Sequence, residues 1–319
     1  MLSVIVPAYN EELSCEKAYD RISEVLCKNN IDFEIIFVDD GSLDSTYDVI
    51  KKLSESAENV RGLHFSRNFG KEAAISAGLA NAAGDCAVVM DCDLQHPPEK
   101  IAEMYGLWEK GYEIVEGVKT DRGEESACHR LFAKCFYSVI GKLSGFDMAN
   151  SSDFKLVDRR VIDILNRIPE RRGFFRAITH WVGFKKAEVE FEVAKRTEGE
   201  SKWSASELVK YALSNIAAYS AAPMQIVTAL GFVMLFIAVV LGVWALVDKL
   251  SGRALEGITT VIFIMIFIGS IMMISLGIIG YYVARIYEEI KGRPKYIVAS
   301  RCGVGESSEK KKNDTETCR

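Results

Sequence analysis

Two long stretches without a charged side chain constrain this chain more than anything else in it. No charge occurs between Lys210 and Asp248, nor between Glu256 and Arg285. Their apolar cores, residues 223–247 and 257–284, each exceed the roughly 20 residues that a helix needs to cross a bilayer. The periodic polar face of a soluble helix is missing from both. The connector between them is short, so the pair is expected to form a transmembrane hairpin. Arg285, Lys291, Arg293, Lys295 and Arg301 follow the second segment. That basic bias puts the C-terminus in the cytoplasm, and two spans return the N-terminus there as well. Residues 2–8 are too short for the apolar region of a signal peptide. The expectation is a multi-pass protein of the cell (inner) membrane, its globular part in the cytoplasm.

The mean hydropathy of +0.08 hides this split, because the apolar excess lies after residue 220. A formal charge of −5 argues against a nucleic-acid partner, which calls for a basic face. The eight cysteines, at 15, 27, 86, 92, 128, 135, 302 and 318, show neither a CxxC pair nor zinc spacing. In a cytoplasmic domain they are expected to be reduced and structural. The four histidines form no metal-binding pattern either.

Before the membrane segments the periodicity changes. Apolar, β-rich runs at 2–7, 33–38, 60–65, 86–90 and 113–118 alternate with helix-like stretches near 11–28, 44–57, 70–82 and 98–110. This rhythm predicts an α/β fold with a doubly wound, mostly parallel sheet. Ligands of such sheets sit beyond the carboxyl ends of the strands. Residues 187–193 alternate apolar and acidic side chains, predicting one more half-exposed strand. Amphipathic helices are expected near 128–144 and over 204–222, the second leading into the first span; both suit a membrane interface. The polar tail after about 303 reads as disordered.

Chemistry-bearing residues fall where that fold would put them. Asp39-Asp40-Gly41-Ser42 follows the second strand. A turn and helix cap explain part of it, but not two adjacent carboxylates, which can accept a base N–H and ribose hydroxyls. After the fourth strand comes Asp91-Cys92-Asp93-Leu94-Gln95, closed by Pro97-Pro98. Two carboxylates one residue apart can hold Mg²⁺ or Mn²⁺ against a diphosphate, with Gln95 as a further oxygen ligand.

Together with Val6-Pro7-Ala8-Tyr9-Asn10-Glu11-Glu12, Arg67-Asn68-Phe69-Gly70-Lys71-Glu72, Asp153-Phe154-Lys155-Leu156 and Arg196–Trp203, these motifs resemble the family 2 glycosyltransferases of GT-A type. Within that family the chain is similar to the polyprenyl-phosphate glycosyltransferases, and Gly292-Arg293-Pro294-Lys295-Tyr296 matches the bactoprenol type. The likeness runs from residue 3 to about 298. It implies a cytoplasmic GT-A catalytic domain over 1–203, the interface helix, the two-helix hairpin and a tail over 285–319. It further implies that Pro7, Tyr9, Glu11, Asp39 and Asp40 frame the nucleotide, that Asp91, Asp93 and Gln95 surround the metal, and that Asp93 and Asp153 serve catalysis. Arg122, Arg130, Arg196 and Lys202 would meet phosphate, the last two in a loop whose Gly199 and Ser201 suit wrapping an anion. Whether Asp153 is a base or an orienting carboxylate stays open, as does the choice of UDP- or GDP-sugar, with glucose the first expectation. The implied partners are a nucleotide-sugar, a polyprenyl phosphate and the membrane; self-association through the interface helices is left open. Two rivals are a processive polysaccharide synthase and a non-enzymatic nucleotide-sugar-binding scaffold. The first usually carries a Gln-x-x-Arg-Trp motif, and Arg176–Trp181 lacks the adjacent Arg-Trp pair.

Overall fold

The computed structural model describes residues 1–119, 151–168, 170, 174–192 and 258–303, with scattered positions between 229 and 251. The chain divides into two compact units, Met1–Ser201 with Pro294–Arg319, and Lys202–Arg293.

The first unit is built on the expected alternation. Strands β1 (Leu2–Ala8), β2 (Phe33–Asp39), β3 (Val60–Phe65), β4 (Cys86–Val89) and β5 (Ile114–Lys119) alternate with helices α1 (Cys15–Lys28), α2 (Thr46–Ser56), α3 (Lys71–Asn81) and α4 (Glu99–Glu109). Then follow β6 (Ser151–Asp158), α5 (Arg159–Arg167), α6 (Phe175–Trp181), β7 (Lys186–Phe191) and, from the chain's far end, β8 (Val298–Cys302). They make one eight-stranded sheet in the order β7-β5-β6-β4-β1-β2-β3-β8. The pairings β1–β2, β2–β3, β1–β4 and β5–β7 are parallel, whereas β6 runs antiparallel to both β4 and β5. Because helices cover both faces, the central strands are apolar throughout rather than alternating. Val4 and Ile5 are both fully buried, the first toward α1 and Leu26, the second toward α3. Each such side chain contributes about 1.5–3 kcal/mol by leaving water. Gly78 lets α3 sit close on the sheet, since a Cβ there would strike the Ile5 side chain.

The chain passes from β1 through β2 to β3 on one side, then returns to β4 on the other side of β1. Such a reversal opens a crevice at the carboxyl ends of β1 and β4. The strand read from 187–193 is β7, an edge strand with Val189 and Phe191 buried and Glu188 and Glu190 exposed. Two strands were not foreseen. β6 lies inside the sheet yet carries buried Ser152, Asp153 and Lys155, polar residues that break the apolar signature of a central strand. β8 is a short antiparallel edge contributed from beyond the apolar segments.

In the second unit, helix α7 (Ile258–Ile290) is continuous over 33 residues, about 50 Å. Its segment Phe267–Ile290 is long and apolar enough to cross a membrane, and none of that segment is buried. The helix therefore runs six residues past the end, at 284, expected for the second span. Among the described residues it is the one helix that qualifies. Most of the first expected span, 223–247, lies outside them, as do the helices expected at 128–144 and 204–222 and the tail beyond 303.

Candidate active site

The crevice between β1 and β4 is built by three loops tied to one another. Asn10, at φ 55, follows β1; its backbone N–H donates to Ser42 Oγ (2.8 Å), and its Oδ1 accepts from Leu43 N–H (3.0 Å). Glu11 N–H donates to Thr46 Oγ1 at 2.9 Å. Asp40 reaches the third loop, its two carboxylate oxygens accepting the N–H groups of Phe69 (2.7 Å) and Gly70 (2.9 Å). Burial raises the Asp40 pKa while these two bonds oppose the rise. Gly41, at φ 69, presses on the Arg67 backbone where any Cβ would collide, so glycine is required for the contact. The result is a cleft of about 290 Å³ lined by Pro7, Tyr9, Glu11, Asp40, Lys71, Asp91 and Asp93, among others. A second cleft of about 360 Å³ shares Tyr9 and Asn68 with it and is walled by Ser42, His64 and Arg67.

The floor is set by sheet register. Val89 of β4 faces Lys155 of β6 at the end of their ladder, and just beyond it Asp91 and Asp153 come close enough for one side chain to reach both. Two carboxylates side by side repel unless a cation joins them. Lys71, the first residue of α3, does so, its Nζ 2.6 Å from Asp91 Oδ1 and 2.9 Å from Asp153 Oδ2. Arg176 of α6 closes on Asp153 from the other side, with Nε 2.6 Å from Oδ1 and Nη2 2.8 Å from Oδ2. Burial alone would raise the Asp153 pKa, but Lys71 and Arg176 reverse it and hold the carboxyl well below the usual carboxylate range. Burial works against the Lys71 ammonium too, and Asp91 with Asp153 outweighs it, holding the pKa above the ordinary lysine range. Lys119, at the end of β5, is shifted downward by burial first and then by the Arg176 charge. Beside this cluster Glu72 accepts the Phe175 N–H (2.8 Å); burial, then the charge of Asp153, pushes its pKa from 4.5 to about 7.

The 91–95 loop is shaped from within. Asp93 Oδ1 accepts the Gln95 N–H at 3.1 Å, and Leu94 between them takes φ 56. His96 is buried against the Phe154 ring, 5.0 Å between centroids, and its Nδ1 accepts the Asp91 N–H at 3.3 Å. Burial lowers its pKa, consistent with a neutral ring that accepts. Cys92 points away into the core, its sulfur 3.7 Å from that of Cys15. Cys15, Cys27, Cys86, Cys92 and Cys302 are free thiols; the other three lie outside the described residues.

Of the residues expected at the site, Pro7, Tyr9, Glu11, Asp40, Asp91 and Asp93 share one cleft wall, with Asp153 joined to it through Lys71. Gln95 meets Asp93 through its backbone. Asp39 stands apart: it has no exposed surface, and its oxygens engage the Ser42 N–H (3.0 Å) and His64 Nδ1 (2.6 Å). Arg122, Arg130, Arg196 and Lys202 fall outside the described residues. Arg176 was passed over in the sequence, where nothing ties it to Asp153, 23 residues away.

A family model for glycosyl transferase family 2 matches residues 3–179, which contain this whole cluster. The chain belongs to that family. An uncharacterized glycosyltransferase of Synechocystis is 36% identical over 305 residues, covering 95% of this chain and 96% of the relative. A prophage bactoprenol glucosyl transferase homolog of Escherichia coli is 36% identical over 299 residues, covering 93% and 98%. The bactoprenol glucosyl transferase of Shigella phage SfII is 35% identical, covering 93% and 97%. Glucosyl-3-phosphoglycerate synthase of Mycobacterium tuberculosis, solved with Mn²⁺, uridine diphosphate and phosphoglyceric acid, shares the fold. It gives a TM-score of 0.52 at 23% identity, covering 68% of this chain and 76% of that one.

For this family 2 glycosyltransferase, the donor set of the 91–95 loop suits a hard divalent cation. Asp91 and Asp93 supply oxygen, and Mg²⁺-like ions are commonly held by one or two carboxylates with substrate phosphates completing the shell. Among the described residues no group of three or more His, Cys, Asp and Glu side chains could hold a metal unaided. The Lys71 ammonium, seated on Asp91, shows that this edge of the cleft already balances a positive charge.

Proposed function

We propose that this transferase moves a hexose, with glucose the first candidate, from a UDP- or GDP-sugar to a polyprenyl phosphate at the cytoplasmic membrane face. The observation that carries this reading is the convergence of Lys71 and Arg176 on Asp153, beside a cleft with a carboxylate pair suited to a metal–diphosphate. Lys71 and Arg176 balance the two carboxylates Asp91 and Asp153, and Lys119, close enough to feel all four charges, adds a third cation; that surplus suits an anionic phosphate acceptor better than a neutral hydroxyl. The lipid-linked acceptor is supported further by relatives that match over nearly the full chain, apolar segments included.

In this mechanism Pro7, Tyr9 and Glu11 frame the nucleoside, while Asp91 and Asp93, with Gln95 beside them, would hold Mg²⁺ or Mn²⁺. The bound metal would neutralise charge on the departing diphosphate. A phosphate oxygen of the acceptor attacks the anomeric carbon as the bond from that carbon to the diphosphate oxygen breaks, so the configuration inverts. A phosphate monoester is largely dianionic at pH 7 and needs no base to become a nucleophile. Asp153, kept ionised by two cations, is a weak proton acceptor in any case. Its role is to fix Arg176 and Lys71 against the acceptor phosphate. Arg122, Arg130, Arg196 and Lys202 would supply further phosphate contacts, and the hairpin, with interface helices, would keep the enzyme at the membrane that holds its lipid acceptor. Confinement to the membrane spares both reactants part of the entropy of meeting.

Release of nucleoside diphosphate from a panel of nucleotide-sugars, with and without added polyprenyl phosphate, tests the acceptor. UDP-glucose is expected to turn over at least tenfold faster when lipid phosphate is present. Equal release without it would reject the assignment.

A further inference from the structure

His64 sits on β3 with its ring stacked on Tyr47, 4.7 Å between centroids and 29° between planes. Its Nδ1 lies 2.6 Å from Asp39 Oδ2, a short, charge-assisted contact with a carboxylate that has no exposed surface. The other Asp39 oxygen accepts the Ser42 N–H, so the carboxylate is locked in place. An ionised carboxylate only accepts. Nδ1 therefore carries the proton, and in the neutral imidazole Nε2 presents a lone pair. Among the described residues Nε2 has no hydrogen-bond partner, and it is not among the buried, unsatisfied atoms. The ring walls the second cleft, which shares Tyr9 and Asn68 with the donor cleft. Asp39 is thus screened from any ligand, and the polar atom offered in its place is an oriented acceptor.

We infer that His64, oriented by Asp39, reads the nucleobase of the donor by accepting a ring N–H at Nε2. Uracil and guanine present such a lactam N–H beside a carbonyl; cytosine and adenine present a lone pair there, which would face another lone pair. The site accordingly selects UDP or GDP over CDP or ADP. This rests on the reading of the cleft as a nucleoside diphosphate site, and adds the side chain that chooses the base. An unmatched acceptor costs enough to shift binding about 10- to 100-fold.

Titration calorimetry of the full chain with UDP, CDP and N3-methyl-UDP, in Mn²⁺ at pH 8.5, tests it. The wild type should prefer UDP to CDP by about 10- to 100-fold and bind N3-methyl-UDP as weakly as CDP. His64→Asn keeps an N–H for Asp39 but lacks the second nitrogen; its preference should fall to within about threefold, through weaker UDP binding. His64→Gln, whose amide can reach the place of Nε2, should keep most of the preference. Equal wild-type affinity for UDP and N3-methyl-UDP would overturn the inference whatever the variants do. So would His64→Asn retaining the full preference; in both cases UDP still binds and the donor site stands. Failure of the wild type to bind any of the three would overturn the donor site as well.

Discussion

At the scale of single residues, Asp153 has two cationic partners and no exposed route to protonation. Its depressed pKa means its pairing contributes stability across the ordinary pH range, lost only in strong acid as pH falls through the folded value. Asp153→Asn keeps the shape and one acceptor but frees Arg176 and Lys71. If Asp153 orients, the loss of kcat at saturating donor should be a similar factor at pH 6 and pH 8.5. A deficit that vanishes at pH 8.5, where the lipid phosphate is already ionised, would mark a true base, the kind worth about 10²–10⁴-fold. Glu72 behaves oppositely. Its pKa rises from 4.5 to about 7 on folding, so between those values the native state binds more protons than the unfolded one. Its contribution is therefore most favourable below about 4.5, is lost as pH rises to about 7, and is level above. Relative to wild type, Glu72→Gln should gain about 1–2 kcal/mol across that window, allowing for partial exposure, read from urea midpoints. A constant difference between the two proteins would contradict the shift. That Asp40, Asp91 and Asp93 would meet at one cleft was legible because strand ends announce themselves by an apolar run meeting carboxylates; the burial of Asp39 beneath His64 was not. Lys71, Arg176 and His64 were not, since what gives them meaning is a partner 25 or so residues away or further, and only sheet register supplies it.

At the scale of elements, α6 packs on the sheet through a polar seam. Lys155 of β6 pairs with Glu116 of β5 across the strand register, its Nζ 3.1 Å from Oε1, and donates to Thr179 Oγ1 at 3.1 Å. His180 Nε2 lies 3.3 Å from Glu116 Oε2. Burial pushes the Lys155 pKa down to about 8 although Glu116 favours the charged form. Thr179 and His180 stand one turn beyond Arg176, so the seam fixes the helix that delivers the guanidinium to Asp153. Lys155→Met would strand the Glu116 charge, and should cost about 3–5 kcal/mol in chemical unfolding. Adding Glu116→Gln should recover at least half of that; a double variant no more stable than the single would contradict the seam as an ion pair. This same polarity hid β6 from the sequence: Ser152, Asp153 and Lys155 interrupt the apolar run that marks a central strand. α5 was findable, because Asp158 caps it by accepting the Arg160 N–H ahead of Val161, Ile162 and Leu165. By contrast β1–β5 and α1–α4 obey simple periodicity, and their bounds fell within a few residues of the expected ones.

At the level of the whole chain, a family 2 glycosyltransferase unit is followed by a helix long and apolar enough to cross a membrane, proposed here as its anchor. The apolar helix α7 covers the second of the two segments from which a hairpin is proposed. With the native cysteines replaced, single cysteines at Ser251 and Ser307 should react with an impermeant maleimide from opposite sides of sealed vesicles. Labelling of both from one side would refute the hairpin. Transfer of one sugar to a lipid phosphate can be read by supplying the purified protein with radiolabelled UDP-glucose and polyprenyl phosphate in vesicles. The account predicts label in the organic extract as a lipid carrying one hexose. Chelation should abolish it, and Asp93→Ala should reduce it by about 10²-fold or more, the scale of losing one preorganised electrostatic contact. Label that enters no lipid while UDP is still released, or that accumulates as polymer, would contradict it.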